Sequence, residues 1–336
     1  MTVGLILILV AVLLGPILVK SVEHNLEPFF LALGALAALV GGQFGWHLVH
    51  EALTEPIGLT AAVLVFGALA RLLRPQFDRA IQRLRAVVST RWIYFTLIVT
   101  LGLVSSVITA VIAALLLVEA VAMLKLDRQS ETAAVIMACF AIGMGAGLTP
   151  LGEPLGTIAT AALKADFWYL MRLLGPFVIA GIVIMAVLSL FIPPIQAASL
   201  YAARPEEGWK EIVLRAVRIY AFVAGLVGLS WGMRPLVGAY IGRIPHGLLF
   251  WLNSLSAVVD NATLTAAEIG PVLTRSQQRA ILMGLLISGG MLIPGNIPNI
   301  VAANRLGITS REWARLGLLI GLPLMLLCFA ALYVAG

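Results

Sequence analysis

A chain of 336 residues that is 61% hydrophobic and only 11% charged stands far from the roughly 25% charged residues of ordinary soluble domains. Apolar runs of about 20 residues recur along its whole length, enough for helices that each cross a hydrocarbon core of about 30 Å. That excludes a soluble enzyme and leaves no stretch for a soluble domain, and the net charge of +6 is explained by membrane topology without nucleic acid or an acidic partner.

Val3 to Val19 lacks the basic n-region and cleavage pattern of a signal peptide, so it is the first predicted membrane helix. Polar ends place helices near 2–19, 28–49 and 57–73, an N-terminal scaffold over 1–73. Over 74–91, Phe77, Ile81, Leu84 and Val88 recur at helical spacing among Arg79, Arg83 and Arg85. This predicts a basic amphipathic helix in the membrane interface, with a solvated basic loop as the alternative.

The first repeat is expected over 92–193. Trp92 to Met123 is too long for one ordinary crossing and carries Ser105, Ser106 and Thr109 in its middle. A re-entrant hairpin over 92–123 explains it, with the polar tip near the midplane. A helix over 133–163 follows, interrupted at Gly147-Leu-Thr-Pro-Leu-Gly-Glu-Pro-Leu-Gly-Thr-Ile158, and then a crossing over 167–192. A connector, 194–210, expected in the cytoplasm, divides the halves.

The second repeat, 211–336, has a helix over 211–241, a hairpin over 245–273, a broken helix over 277–305 and a last crossing over 312–335. Its break is Gly289-Gly-Met-Leu-Ile-Pro-Gly-Asn-Ile-Pro-Asn-Ile300. Ser105 and Glu119 are 14 apart, as are Ser254 and Glu268. Backbone without helical hydrogen bonds survives at membrane depth only where protein or a water-filled cavity satisfies it. Two such breaks at corresponding places are a pointer to a transporter's central site.

With the 71–91 segment inside, the spans put 16 of the 22 lysines and arginines on the cytoplasmic face, in keeping with the positive-inside rule. Both termini are then extracytoplasmic and the two repeats inverted. The expected location is a prokaryotic-type plasma membrane.

Four acids fall inside apolar stretches, where an ionisable group is costly and therefore a functional hypothesis. Glu153 in the first break and Asp260 at the second hairpin's tip are candidates for ion or proton binding; the alternative is a structural carboxylate tying down half-helix N–H groups. Glu119 and Glu268 lie two to three turns beyond their tips, roughly 15 Å along a helix, and are read as gate or interface residues. Neutral oxygens surround the first pair: Ser105, Ser106, Thr109, Thr149, Thr157, Ser254, Ser256, Thr263, Asn296 and Asn299. Hard cations take such oxygens together with backbone carbonyls. No Lys or Arg falls at either tip or break, which favours a cation, although half-helix N-termini can hold an anion unaided.

His24, His47, His50 and His246 form no metal-ligand spacing, and Cys139 and Cys328 sit inside apolar runs as free thiols. No bound cofactor is expected beyond transported Na⁺ or H⁺. HExxH, GxSxG and Walker-type motifs are absent, which argues against an intramembrane enzyme or ATP-driven transport.

Ser256-Ala-Val-Val-Asp-Asn-Ala-Thr-Leu-Thr265 resembles the Asp-Asn motif of NhaD-type sodium/proton antiporters, and Thr149-Pro-Leu-Gly-Glu-Pro154 resembles the break of the wider ion transporter superfamily, which includes arsenite permeases. Ser288 to Trp313 is similar to an uncharacterised family of proposed cation transporters. The resemblance covers about Trp92 to the C-terminus. It implies inverted repeats with two re-entrant hairpins, a midplane site, usually a homodimer in membrane lipid, and elevator-like movement. It carries over onto Asp260, Asn261, Glu153 and Asn296. In the first hairpin, Ser-Ser-Val-Ile-Thr stands where relatives often carry Asn or Asp.

Residues and resemblance together lead to the expectation of an all-α polytopic secondary transporter, a Na⁺/H⁺ or related cation/proton antiporter. A Na⁺-coupled symporter of a small anion is the alternative. Channels and scaffolding subunits remain rival classes, separable by saturable, counter-ion-dependent flux.

Overall fold

The computed structural model describes residues 1–23, 25–58, 60–61, 64–65, 68, 72, 88–124, 126–193, 208–240, 246–253, 261–269 and 273–334. The interfacial segment expected over 74–91, the connector over 194–210, the tip residues Ser254 and Ser256, and Asp260 lie wholly or mostly outside them. The described residues form helices joined by turns, with no strand. Among the described residues five helices are long and apolar enough to cross a membrane, consistent with a polytopic membrane protein.

In chain order the helices are α1 (Thr2–Leu18), α2 (Lys20–Glu23), α3 (Leu26–Val40), α4 (46–58), α5 (Thr90–Ile108), α6 (Ala110–Leu124), α7 (Arg128–Ala146) and α8 (Pro154–Ala162). After them come α9 (Tyr169–Ser189), α10 (Trp209–Tyr240), α11 (His246–Leu252), α12 (Asn261–Glu268), α13 (Arg275–Ser288), α14 (Ile297–Leu306) and α15 (Ser310–Val334). A 3₁₀ turn, Ile293–Gly295, precedes α14.

The helix expected over 28–49 ends earlier, at Val40. Gly41-Gly42 follows it, and Gly42 has φ +65°, a conformation that costs glycine little and most other residues much. The chain turns there and restarts as α4.

Small residues bring α3 and α10 together. A Cβ on Gly34 would overlap the carbonyl oxygen of Gly225, one on Gly41 that of Gly232, and one on Gly225 would lie 2.5 Å from the Phe30 carbonyl carbon. The glycine rows let the backbones touch, the packing by which helices associate where lipid removes the hydrophobic drive. Leu5, Ile8 and Val12 turn α1 inward, while Val3, Leu7, Val10 and Leu14 stay exposed, a stripe with the polarity expected for a lipid-facing helix.

α5, α6, α9, α13, α14 and α15 pack around α7, of which nearly every side chain from Ala134 onward is buried. α5 and α9 flank α7, and α11 and α15 flank α13. The halves also cross over: α6 packs on α14, α12 on α8, α7 on α15 and α13 on α9. Val111, Ala114 and Leu115 of α6 share one apolar cluster with Ile297 and Val301 of α14, and further along both helices Glu119 meets Arg305, an order that fits two helices running parallel.

Arg128 fastens one end of this assembly. Its guanidinium donates to both Glu312 oxygens, at 2.9 and 2.6 Å, and to the Leu306 and Gly307 carbonyls, at 2.8 and 2.6 Å. The carbonyls are among those α14 leaves unmatched at its C-terminus, so one side chain ties α7, α14 and α15 together.

Candidate functional site

The run Trp92–Met123 is two helices, not one. α5 stops at Ile108, α6 starts at Ala110, and Thr109 between them takes φ +75°, ψ 149°. A β-branched residue there costs on the order of 1–3 kcal/mol and persists only when its surroundings enforce it. Here the first break supplies that enforcement. Ala110 N–H donates to the Gly152 carbonyl at 2.9 Å, Thr149 Oγ1 donates to the Ser106 carbonyl, and Ser105 Oγ donates to the Ile142 carbonyl at 3.0 Å.

The break itself follows from its composition. α7 ends at Ala146; Gly152 is confined by the Ala146 carbonyl and Gly156 by that of Thr149, where no larger side chain fits. Pro154, without an N–H, opens α8 at the position a proline tolerates best. Ser105, Ser106, Thr109, Thr149 and Glu153 thus gather at one junction. The hydroxyl protons of Ser105, Ser106, Thr149 and Thr157 go to backbone carbonyls, which leaves oxygen lone pairs as their remaining polar capacity.

The second break is arranged around asparagines. Asn299 Nδ2 donates to the Gly289 and Leu292 carbonyls, both at 2.8 Å, holding the non-helical turn closed. Asn261, at the start of α12, lies against Gly289: a Cβ on that glycine would be 2.6 Å from Asn261 Nδ2. Asn296 caps α14 with Oδ1 accepting from Ile297 N–H at 2.9 Å. Three amides from two elements therefore meet at one turn. Both amide atoms of Asn261, Nδ2 of Asn296 and Oδ1 of Asn299 are buried with no hydrogen-bond partner among the described residues. A buried polar atom left unpaired costs about 1–3 kcal/mol, so such atoms call for a reason: strain, a catalytic role, or a bound water or ion.

The two breaks share one helix. Gly143 on α7 carries Asn296 against it, and the neighbouring Ile142 carbonyl receives Ser105. Cys139, one turn earlier, donates to the Pro298 carbonyl at 3.6 Å. Glu153 and Asn296 are the N-caps of the two half-helices and share a backbone conformation, φ −155° with ψ 162° and 148°. Both are nine-tenths buried. The parallel course of α6 and α14 directs both N-termini, each carrying about half a positive charge, toward the same region.

The two remaining acids differ. Glu119 pairs with Arg305 of α14 at 3.4 Å, whereas Glu268 Oε2 accepts a hydrogen bond from Asn253 Nδ2 at 3.1 Å. Asp260 adjoins Asn261 in sequence but lies outside the described residues. Sequence reasoning passed over Asn253, which is buried, bonds Glu268 and the Ile281 carbonyl, and accepts from Ser288 Oγ at 2.7 Å; a lone amide in an apolar run was the available signal. It also passed over Glu131, buried in the first turn of α7, because an acid near a helix start looks like an ordinary dipole partner.

Compared with known protein families, residues 2–335 match the family described as "Protein of unknown function (DUF1646)". The chain belongs to that family. No curated protein matches it. In this family member the junction offers a buried carboxylate, amide and hydroxyl oxygens and non-helical carbonyls. Among the described residues, no group of three His, Cys, Asp or Glu stands ready for a tightly held metal. Such an oxygen set suits a weakly held hard ion more than a resident transition metal.

Proposed function

We propose that this protein is a secondary active transporter, a Na⁺/H⁺ or related cation/proton antiporter of the ion transporter superfamily, with its site where the two broken helices adjoin. The reading rests on one observation above all: Glu153 and Asn296 cap two half-helices with the same backbone geometry, both buried at breaks that share α7. Paired interruptions of this kind are what secondary transporters use to present caps and carbonyls to an ion.

The halves are taken as inverted repeats, each with a re-entrant hairpin and a broken helix. What supports this is the exchange of partners between them, α6 with α14 and α12 with α8. In the proposed cycle Glu153 and Asp260 alternate between proton and cation, while Asn261 and Asn299 offer amide oxygens. Ser105, Ser106, Thr109 and Thr149 position the first break, and Asn296 the second. Glu119, fastened to Arg305, is cast as an interface residue. A homodimer in the lipid bilayer of a prokaryotic-type plasma membrane, both termini outside, completes the reading.

A specific observation keeps a second reading, Na⁺-coupled symport of a small anion. Asn296 Nδ2 and Asn261 Nδ2 are donors without a partner among the described residues, and the parallel N-termini of α6 and α14 favour negative charge.

Proton and ion flux in proteoliposomes separates these. Antiport requires proton movement driven by a cation gradient, abolished by Glu153→Gln and by Asp260→Asn. If both variants keep wild-type flux, the proposed mechanism is wrong. A Na⁺-dependent anion current without proton movement selects the second reading.

A further inference from the structure

Glu119 and Glu268 occupy matching places with opposite surroundings. Each follows a serine by 14 residues, and each lies on a helix packed against the second half of the opposite broken helix, α6 on α14 and α12 on α8. Counted from the cap of that partner helix, Arg305 stands nine places after Asn296, and nine places after Glu153 stands Ala162. The arginine that neutralises Glu119 thus has an alanine as its counterpart beside α12.

Nothing else described replaces it. Glu268 is 9% exposed and its bonded partner is the neutral amide of Asn253. The elements packed on α12 are α8, α10 and α13, with α11 reached through Asn253. α8 contributes no charge beyond its cap, Glu153. α10 carries Lys210, Glu211, Arg215, Arg218, Tyr220, Arg234 and Tyr240, of which Arg234 lies 3.7 Å over the Trp231 ring and Tyr220 donates to the Leu53 carbonyl. α13 carries Arg275 and Arg279, the latter donating to the Leu173 carbonyl and lying over Phe177, and α11 begins with His246. Among those whose side chains are described, none forms an ion pair with Glu268; the side chains of Arg215, Tyr240 and His246 lie outside the described ones.

An ionised carboxylate buried without a counter-charge is costly enough that the group takes a proton or a cation instead. At membrane depth such a group is by default functional. We propose that Glu268 is a further proton- and cation-binding carboxylate, beyond Glu153 and Asp260 and oriented by Asn253, which exchanges a proton for a monovalent cation during transport. This rests on the transport reading. Glu119, at the matching place, is paired with Arg305 instead.

The test is labelling of the full-length protein in lipid vesicles with a hydrophobic carbodiimide, which reacts with protonated carboxyl groups in apolar surroundings, read by mass spectrometry of the peptide carrying Glu268. The expected result is labelling at acidic pH that falls about tenfold or more toward alkaline pH, as the protonated fraction must, and falls again when Na⁺ or Li⁺ is added. Glu268→Gln removes the label. Ala162→Arg restores the arginine that the other half possesses and, by favouring the charged form, lowers labelling about tenfold or more while the melting temperature is kept.

Glu268 that stays unlabelled, or labelling indifferent to pH and cation, overturns the proposal, as does unchanged labelling in folded Ala162→Arg. Wild-type vesicles that show no cation-driven proton flux, with Glu268 still titrating, would remove the transport reading and keep the binding site. Wild-type flux whose pH profile survives Glu268→Gln would remove the site and keep the transport reading.

Discussion

Asn296 of the second broken helix rests on Gly143 of the first, so closely that a methyl group on the glycine would overlap its amide nitrogen. That contact makes a core glycine part of the candidate site. Gly143→Ala is expected to destabilise the protein by about 1–3 kcal/mol through overpacking. Asn296→Ala removes the overlapped nitrogen, so the double variant should recover part of that loss in a detergent melting series. Strictly additive losses would mean the two residues do not press on each other.

Asn261 and Asn299 should part company when truncated. Asn299 donates two bonds that close the break, and Asn299→Ala is expected to cost about 1–3 kcal/mol by leaving two carbonyls unmatched. Asn261 has neither amide atom bonded among the described residues, so Asn261→Ala should keep or raise the melting temperature while lowering cation-dependent flux. Equal destabilisation by both would make Asn261 a structural residue.

The α3–α10 seam should tolerate no side chain. Gly34→Val or Gly225→Val would drive a branched side chain into opposing backbone and is expected to prevent stable folding or to cost more than about 3 kcal/mol. Gly45→Val, facing open space, is the control and should stay within about 0.5 kcal/mol of wild type. Comparable yields and melting temperatures for all three would contradict the close approach.

Thr109 holds a backbone angle that glycine adopts freely. Its hydroxyl accepts only a 3.4 Å bond from Ile112 N–H, so little is lost with the side chain. Thr109→Gly should leave stability unchanged or raise it by about 1 kcal/mol, and Thr109→Val, which keeps the strained branched side chain, should not raise it. A clear loss with glycine would show that the threonine side chain, not its backbone, sets the joint.

Arg128 is expected to be irreplaceable by lysine. The exposed ion pair with Glu312 contributes only about 0.2–1 kcal/mol, but the planar fork also serves two carbonyls of α14. Arg128→Lys should therefore lose nearly as much melting temperature as Arg128→Ala, because one ammonium cannot reproduce four bonds to three residues. High salt should recover little of the difference. A lysine variant as stable as wild type would reduce the clamp to its charge.

The membrane-embedded helical character and the two interruptions could be read from the chain alone, for a local reason. Pro150, Pro154, Pro294 and Pro298, set among glycines, prevent a continuous helix whatever surrounds them, and long apolar runs have few alternatives to crossing a bilayer. Other features depend on partners far away in sequence. Gly41-Gly42 looked compatible with a helix over 28–49 until the approach of Gly232 to Gly41 and the positive φ of Gly42 defined a turn. Glu119 and Glu268 have the same local spacing, yet Arg305, 186 residues away, meets Glu119, and the matching place on α8 holds only a methyl group. Local sequence fixes where the backbone cannot be helical; which charges are then neutralised is decided by packing between helices, because a counter-ion acts through distance in space and leaves no periodic trace along the chain.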